Sequence, residues 1–262
     1  MRKELTPAEV KEIQLDILRK IHRFCISRGL RYSLGGGTLL GAVRHKGYIP
    51  WDDDVDIMLP RPDYMRFMNE FKDYDADLTV QDYHTDSHYY YPFGKIYHNK
   101  TKYIQYGYKG GVYIDVFPID GLPSFEQFPE RRKKHSELIG SLWQSTKTYM
   151  YKDNKLIPFL KYIFNKLRNP SRKRIIEKLD AFYNEYPFNT SDYAGALTGA
   201  YGLKEHMKRS TFESYILLPF ENYQFYCISD FDSYLNKHYG DYMKLPPKEE
   251  QVSPHNNHIY WI

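Results

Sequence analysis

A glycine triplet followed by a cluster of aspartates constrains this chain more than any other stretch. Gly35–Gly37 come first, and four carboxylates follow within residues 52–56. Alternate side chains share one face of a strand. A strand here would therefore place Asp54 and Asp56 on one face and point Val55 and Ile57 into a core on the other face. Two carboxylates on one face repel each other unless a cation lies between them, and Mg²⁺ or Mn²⁺ accepts oxygen ligands. We therefore predict a divalent-metal site rather than a solvated acidic loop.

The glycine triplet also suggests a phosphate site. Glycine lets backbone amides approach a phosphate because no Cβ intervenes, and a helix predicted from Thr38 to Val43 would point its N-terminus at the anion. Gly36, Gly37 and Thr38 are therefore candidate phosphate ligands, although a flexible turn would explain the glycines equally well. Arg44 is a further candidate because arginine can bind phosphate through two parallel hydrogen bonds. The alternative is that Arg44 is an ordinary charged residue on the surface.

A lone carboxylate, Asp115, interrupts a later apolar strand. A buried acid needs a partner, which would be a metal shared with Asp54 and Asp56 or a set of backbone amides. Asp120 precedes a glycine, so we interpret it as a structural residue in a turn. Lys95 lies within an alternating stretch that predicts antiparallel strands, where it is either an exposed strand residue or a phosphate ligand.

Composition limits the class of protein. The chain has 262 residues, and its net charge of +4 comes from basic and acidic residues mixed along the sequence, which does not indicate a nucleic-acid interface. Its two cysteines are far apart and indicate neither a disulfide framework nor a zinc site. We find no signal-peptide core and no apolar run long enough for a transmembrane helix, so we expect a cytoplasmic protein.

Local signals place several elements. Thr6, Pro7 and Glu9 predict a capped helix start, apolar residues then recur at helical spacing, and Gly29 ends the helix. Another helix, after the one predicted from Thr38 to Val43, should begin within Pro60–Asp63. We expect helices from Ser124 to about Tyr186. Short strands are then expected around Ala194–Leu197 and Tyr223–Ile228, before a helix over Ser229–Tyr239.

The continuous stretch from Gly35 to Asp56 closely resembles the signature of the LicD family of phosphotransferases. Asp115–Gly121 and Tyr239–Pro247 resemble later motifs of that family. The resemblance implies an α+β, nucleotidyltransferase-like fold, a mixed or antiparallel sheet flanked by helices. It also implies a catalytic core over residues 1–123, a helical insert over 124–190, and a C-terminal α/β region over 191–262 that completes the same domain.

The resemblance also implies a reaction. Bacterial members of the family transfer phosphocholine from CDP-choline to a sugar hydroxyl of teichoic acid or lipopolysaccharide, and eukaryotic relatives transfer ribitol phosphate from CDP-ribitol. Asp54, Asp56 and Asp115 would be catalytic, and these three with Asp52 would bind one or two Mg²⁺ or Mn²⁺ ions. Asp115 would orient or deprotonate the sugar hydroxyl, and in-line attack would expel CMP without a covalent enzyme intermediate.

Several points stay open at this stage. A nucleotidyltransferase acting on a sugar phosphate or small-molecule hydroxyl would use the same carboxylates, and a sugar-binding module would use the many tyrosines. The acceptor would be a glycan or lipid-linked glycan, so the protein could make peripheral contact with the inner face of a membrane. The terminal apolar residues could contact that membrane or pack on the core, and we favour packing. Six histidines are candidate general bases: His45, His84, His88, His98, His255 and His258. We single out His255, which is also a candidate substrate ligand.

Overall fold

Helix α1, Pro7–Arg28, confirms the capped helix that was predicted at the start of the chain. The structure is a computed structural model that describes residues 3–105, 108–146, 171–253 and 258–262. The Thr6 side chain accepts a hydrogen bond from the Glu9 backbone amide, and the Glu9 carboxylate accepts one from the Thr6 amide at 2.8 Å. Gly29 ends the helix with φ +61°, a conformation that favours glycine.

The core of the fold is a mixed sheet. Within the described residues, five strands lie side by side in the order β1, β2, β7, β4, β3, and only β2 and β7 are parallel to each other. The strands along the chain to this point are β1 Ser33–Leu34, β2 Asp56–Pro60, β3 Leu78–Gln81, β4 Gly94–His98, β5 Thr101–Gln105, β6 Tyr108–Gly110 and β7 Tyr113–Leu122. Because β2 and β7 run in the same direction, their first residues meet at one end of the sheet.

The later strands extend this sheet or pack beside it. They are β8 Tyr193–Gly195, β9 Met207–Lys208, β10 Tyr215–Phe220, β11 Tyr223–Ile228 and β12 Ile259–Trp261. The end of β7 pairs with β8, which pairs with β9, while β10 and β11 form a separate hairpin. Strand β12 pairs with β5, Ile259 is buried, and Trp261 packs against the core, which confirms the expected packing for these two residues. Ile262 is exposed.

The helices cover the sheet and connect its strands. They are α2 Gly36–Arg44, α3 Arg61–Glu70, α4 Phe128–Thr146, α5 Arg172–Asn184 and α6 Phe231–Tyr239. The observed mixture of sheet and helices confirms the predicted α+β class. Within the part of the chain described, no helix combines the length and the apolar character that crossing a membrane requires.

Helices α4 and α5 pack on each other around a second apolar cluster. Phe128, Leu142 and Leu179 belong to it, and so do Tyr83 and Leu122 from the first part of the chain. The division into residues 1–123, 124–190 and 191–262 stays a prediction. The pairing of β8 with β7 does join the last part of the chain to the central sheet.

Two sequence predictions about strands were wrong. Asp120 lies inside β7 rather than in a turn, because its buried carboxylate accepts hydrogen bonds from Arg61 Nε at 2.6 Å and Nη2 at 2.8 Å. That ion pair satisfies a charge within an otherwise apolar strand. Strand β2 begins at Asp56, so Asp54 precedes the strand instead of lying in it.

Candidate active site

The acidic turn, residues 52–56, places its carboxylates at one end of the sheet. Val55 and Ile57 are fully buried, whereas Asp54 and Asp56 are partly exposed on the opposite side. The predicted alternation is therefore present, although regular strand pairing starts only at Asp56. Apolar packing of the two buried residues fixes which way the carboxylates face.

Strand register places Asp56, Asp115 and Lys95 side by side. Asp56 pairs with Asp115 between β2 and β7, and Asp115 pairs with Lys95 between β7 and β4. Residues opposite each other on neighbouring strands project from the same face. The structure thus brings together two carboxylates that are distant in sequence, as the metal hypothesis required.

The direct partner of Asp115 is a lysine. Asp115 is 8% exposed, Lys95 is 6% exposed, and the Lys95 ammonium donates a hydrogen bond to Asp115 Oδ1. An exposed position was the alternative for Lys95, and its burial in this ion pair corrects that interpretation. A metal or backbone amides as further partners of Asp115 stay predictions. The Tyr113 ring centroid lies 3.8 Å from the Lys95 ammonium, which adds a cation–π contact.

The glycine triplet lies against the carboxylates. Helix α2 begins at Gly36, two residues before the predicted start, and Gly36 has φ +46°. A Cβ on Gly36 would lie 3.1 Å from Asp56 Oδ2, and a Cβ on Gly37 would lie 2.8 Å from Asp52 Oδ2. Gly36 thus suits its positive φ, and a side chain at Gly37 would require the Asp52 carboxylate to move.

Thr38 connects the same two elements. Its buried hydroxyl accepts a hydrogen bond from the Asp56 amide at 2.9 Å, and the Gly35 amide donates to the Asp56 carbonyl at 2.9 Å. These bonds hold the start of β2 against the start of α2. Contact of Gly36, Gly37 or Thr38 with a phosphate stays a prediction.

Burial and neighbouring carboxylates raise the pKa of Asp52 and the pKa of Asp56. Burial, followed by the charge of Asp54, raises the pKa of Asp52 to about 7. The pKa of Asp56 is raised well above its usual range, first by burial and then by the charges of Asp54, Asp115 and Asp52, while Lys95 acts in the opposite direction. A cation bound among these groups would relieve the repulsion.

The oxygen donors fit a hard divalent cation. Carboxylate oxygens of Asp52, Asp53 and Asp54 lie within 4.8 Å of one another. Asp53 was not among the predicted ligands, and its Oδ2 accepts a hydrogen bond from Ser253 at 2.8 Å. An all-carboxylate donor set suits Mg²⁺ or Mn²⁺ better than a metal that prefers nitrogen or sulfur.

A cleft of about 720 Å³ opens beside the acidic turn. Gly37 and Asp56 line it together with residues that the sequence analysis did not assign to a site, among them Tyr201 and Tyr239, whose hydroxyls lie 2.5 Å apart. Only the position of Tyr239 in the motif Tyr239–Pro247 could have indicated its role. Tyr201 reaches the cleft through tertiary folding, which leaves no local signal.

Arg44 holds the far wall of this cleft. Its Nη1 donates hydrogen bonds to the carbonyls of Tyr242 at 2.8 Å and Lys244 at 3.2 Å. The guanidinium therefore anchors the motif Tyr239–Pro247 over the site, and its contact with phosphate stays a prediction.

The candidate histidines lie in different places. His45 packs edge-on to Trp51, His84 lies between Asp82 and Asp180, and His258 Nδ1 is 2.5 Å from Glu4. None of the described residues lining the cleft is a histidine. His255 lies outside the described residues, so its predicted role stays a prediction. The exposed His88 and the half-buried His98 also lie away from the cleft lining.

The sequence is similar to that of several known proteins. A family model described as LicD/FKTN/FKRP, nucleotidyltransferase domain, matches residues 29–171. The lipopolysaccharide cholinephosphotransferase LicD of Haemophilus influenzae is 33% identical over 269 residues, covering 98% of this chain and 99% of that protein. The ribitol 5-phosphate transferase FKRP of Homo sapiens is 49% identical over 47 residues, 16% of this chain and 10% of that protein. The chain therefore belongs to the LicD/FKTN/FKRP family and is a transferase with a nucleotidyltransferase domain.

Proposed function

We propose that the protein transfers a phosphoalcohol, with phosphocholine as the first candidate, from a CDP-alcohol to a sugar hydroxyl of a cell-surface glycan precursor. The observation that carries this proposal is the register that sets Asp115 beside Asp56, because Asp56 lines a cleft of about 720 Å³. The full-length relative from Haemophilus influenzae, a lipopolysaccharide cholinephosphotransferase, supports phosphocholine as the transferred group and lipopolysaccharide as the acceptor. Teichoic acid is the other acceptor class that we consider.

Asp115 has the role of orienting the attacking hydroxyl and accepting its proton. The sugar oxygen forms a bond to the phosphorus that carries the alcohol, and the bond from that phosphorus to the CMP oxygen breaks. Lys95 holds the Asp115 carboxylate in place through their ion pair. Amides at the start of α2, together with Arg44, Lys95 and His255, remain our proposed contacts to phosphate.

Asp52, Asp54, Asp56 and Asp115 are the proposed metal ligands. Mg²⁺ or Mn²⁺ bound there would supply positive charge for the diphosphate and for the negative charge that develops on the leaving group. Asp53, which lies among these carboxylates, is a further donor. The raised pKa values of Asp52 and Asp56 support the assignment, because carboxylates crowded together favour a cation.

The first test is release of CMP from CDP-choline, CDP-ribitol, CDP-glycerol and CDP-ethanolamine, with Mg²⁺, with Mn²⁺ and with a chelator. We expect metal-dependent CMP release from one donor, a loss of at least about a hundredfold in Asp56→Asn, and unchanged release in Asp73→Asn. Asp73 is a matched control because it is exposed and lies on the short turn after α3, away from the cleft.

The same assay separates the alternative. A nucleotidyltransferase would release pyrophosphate from CTP and no CMP from any CDP-alcohol, and this result would replace our proposal. Full activity in the Asp54→Asn, Asp56→Asn double variant would contradict every mechanism that relies on these carboxylates.

The acceptor proposal includes peripheral contact with the inner face of a membrane, because such glycans are often carried on lipid. Sedimentation of the protein with vesicles that carry the acceptor lipid would test this contact. Binding no greater than to vesicles of neutral lipid would argue against it.

A further inference from the structure

A small cavity lies behind the glycine turn. Its volume is about 160 Å³, room for roughly five waters at ~30 Å³ each. Gly37, Asp56 and Tyr201 line both this cavity and the large cleft, so the two spaces meet at the proposed metal site. The cavity is too small for a nucleoside and has the size of a short alcohol.

The walls of the cavity are apolar and aromatic. Met58, Phe117, Ile119 and Ala196 contribute apolar residues to the lining, and Tyr201 and Tyr234 also line the cavity. The charged residues among the described lining are two acids, Asp56 at the junction with the cleft and Glu205, and no basic residue lines it.

Glu205 is held in place within this wall. It is 3% exposed, its Oε2 lies 3.3 Å from His238 Nε2, and the Tyr201 amide donates to its Oε1 at 3.4 Å. His238 is fixed in turn, since its Nδ1 lies 2.7 Å from the Tyr234 carbonyl oxygen.

Gly199 provides the space that this carboxylate occupies. A Cβ at that position would lie 1.7 Å from Glu205 Oε1, so no other residue could stand there without moving the carboxylate. The fold thus accommodates one buried acid beside an apolar cavity.

We propose that this cavity binds the quaternary ammonium head of the donor alcohol, and that Glu205 selects a cationic alcohol over a polyol. The inference rests on the proposed function, which leads the donor diphosphate to Asp56 at the cavity junction. It adds a specificity-determining residue outside the acidic turn and outside the residues matched by the family model.

The chemistry of the walls decides between cation and polyol. A quaternary ammonium carries methyl groups and no hydrogen-bond donor, so aromatic rings and a nearby carboxylate satisfy it. Each hydroxyl of a polyol such as ribitol needs a hydrogen-bond partner, and apolar walls would leave several of them unpaired. The cavity therefore matches choline better than ribitol or glycerol.

The test compares wild type with Glu205→Gln, which keeps the size of the side chain and removes its charge. We expect kcat/KM for CDP-choline to fall about tenfold relative to kcat/KM for CDP-ribitol, and tetramethylammonium to bind at least about tenfold more weakly in a calorimetric titration. Glu137→Gln, an exposed position on α4, is the matched control and should behave as wild type.

The other possible results would contradict the proposed role of Glu205, of the cavity or of the whole protein. Equal changes for both donors, or unchanged affinity for tetramethylammonium, would overturn the assignment of the cavity. If wild type releases no CMP from any CDP-alcohol, the proposed function fails, and the titration still decides whether the cavity binds a quaternary ammonium. If Glu205→Gln does not fold, Phe117→Leu replaces it, since losing a ring from the wall should also weaken tetramethylammonium binding and unchanged affinity would refute the cavity.

Discussion

The Lys95–Asp115 ion pair shows how one contact serves both stability and the proposed chemistry. Both side chains are buried between neighbouring strands, where a charge without a partner is costly. Lys95→Met should therefore destabilise the protein by about 3–5 kcal/mol and also reduce CMP release. Chemical denaturation followed by tryptophan fluorescence measures the first effect, and the CDP-alcohol assay measures the second.

A double variant separates the two roles. Lys95→Met with Asp115→Asn removes both charges of this pair, so it should recover most of the lost stability while staying inactive. Arg61→Met is the control, because it breaks a comparable buried pair with Asp120. It should cost similar stability, yet the protein that remains folded should release CMP normally. Activity in the Lys95→Met, Asp115→Asn variant would remove Asp115 from the mechanism.

The contact between α2 and the acidic turn acts at the scale of elements. A methyl group on Gly37 would lie 2.8 Å from Asp52 Oδ2, so Gly37→Ala should push the turn away from the helix start. We expect CMP release to fall at least about tenfold, with a change in unfolding free energy below ~2 kcal/mol.

Gly140→Ala provides the matched control for that change. Gly140 lies in α4, and a Cβ there would meet no atom within 4 Å. The substitution should keep activity and stabilise the helix by roughly 0.5–1 kcal/mol. If Gly37→Ala also keeps full activity, close approach of the helix start to the turn is not required for transfer.

His84 joins the segment after β3 to α5 and makes stability depend on pH. Hydrogen bonds to Asp180 and Asp82 raise the pKa of His84 to about 9. Because the unfolded value is about 6.5, the stabilisation is fully present below that pH and is lost as pH rises through about 9. His84→Gln should thus lower the melting temperature at about pH 6 and have little effect near pH 10. His88→Gln, at an exposed histidine, should have little effect at either pH.

Elements with local signals were predictable from sequence, but the partners in the two buried ion pairs were not. The capping box at Thr6 and Glu9, Gly29, and the helix start after Pro60 depend on neighbouring residues. Lys95 as the partner of Asp115 depends on strand register, which the whole sheet determines. The ion pair of Asp120 could not be predicted either, because its partner Arg61 is far away in sequence.

At the scale of the molecule, the cleft is assembled from distant parts of the chain. The acidic turn and α2 form one side, and Tyr201 and the motif Tyr239–Pro247 form the other. Arg44 joins the two sides through the carbonyls of Tyr242 and Lys244. The sequence resemblance located each motif, but it did not predict that Arg44 connects the two sides. The phosphate contact of Arg44 stays a prediction.

Metal binding should therefore stabilise the whole fold. A ligand that binds only the native state stabilises it by RT ln(1 + [L]/Kd), about 2.7 kcal/mol at a hundredfold excess over Kd. For a domain of this size that free energy corresponds to a rise in melting temperature of roughly 5–10 °C. Differential scanning fluorimetry with Mg²⁺, with Mn²⁺ and with a chelator measures it.

The carboxylates should account for the whole of that rise. In the Asp54→Asn, Asp56→Asn variant, mutual repulsion is relieved, so the metal-free melting temperature should equal or exceed that of wild type. Added metal should then produce no shift, while Asp73→Asn should keep the shift of wild type. An equal shift in the double variant would mean that the cation binds elsewhere on the protein, and the acidic turn would lose its role as the metal site.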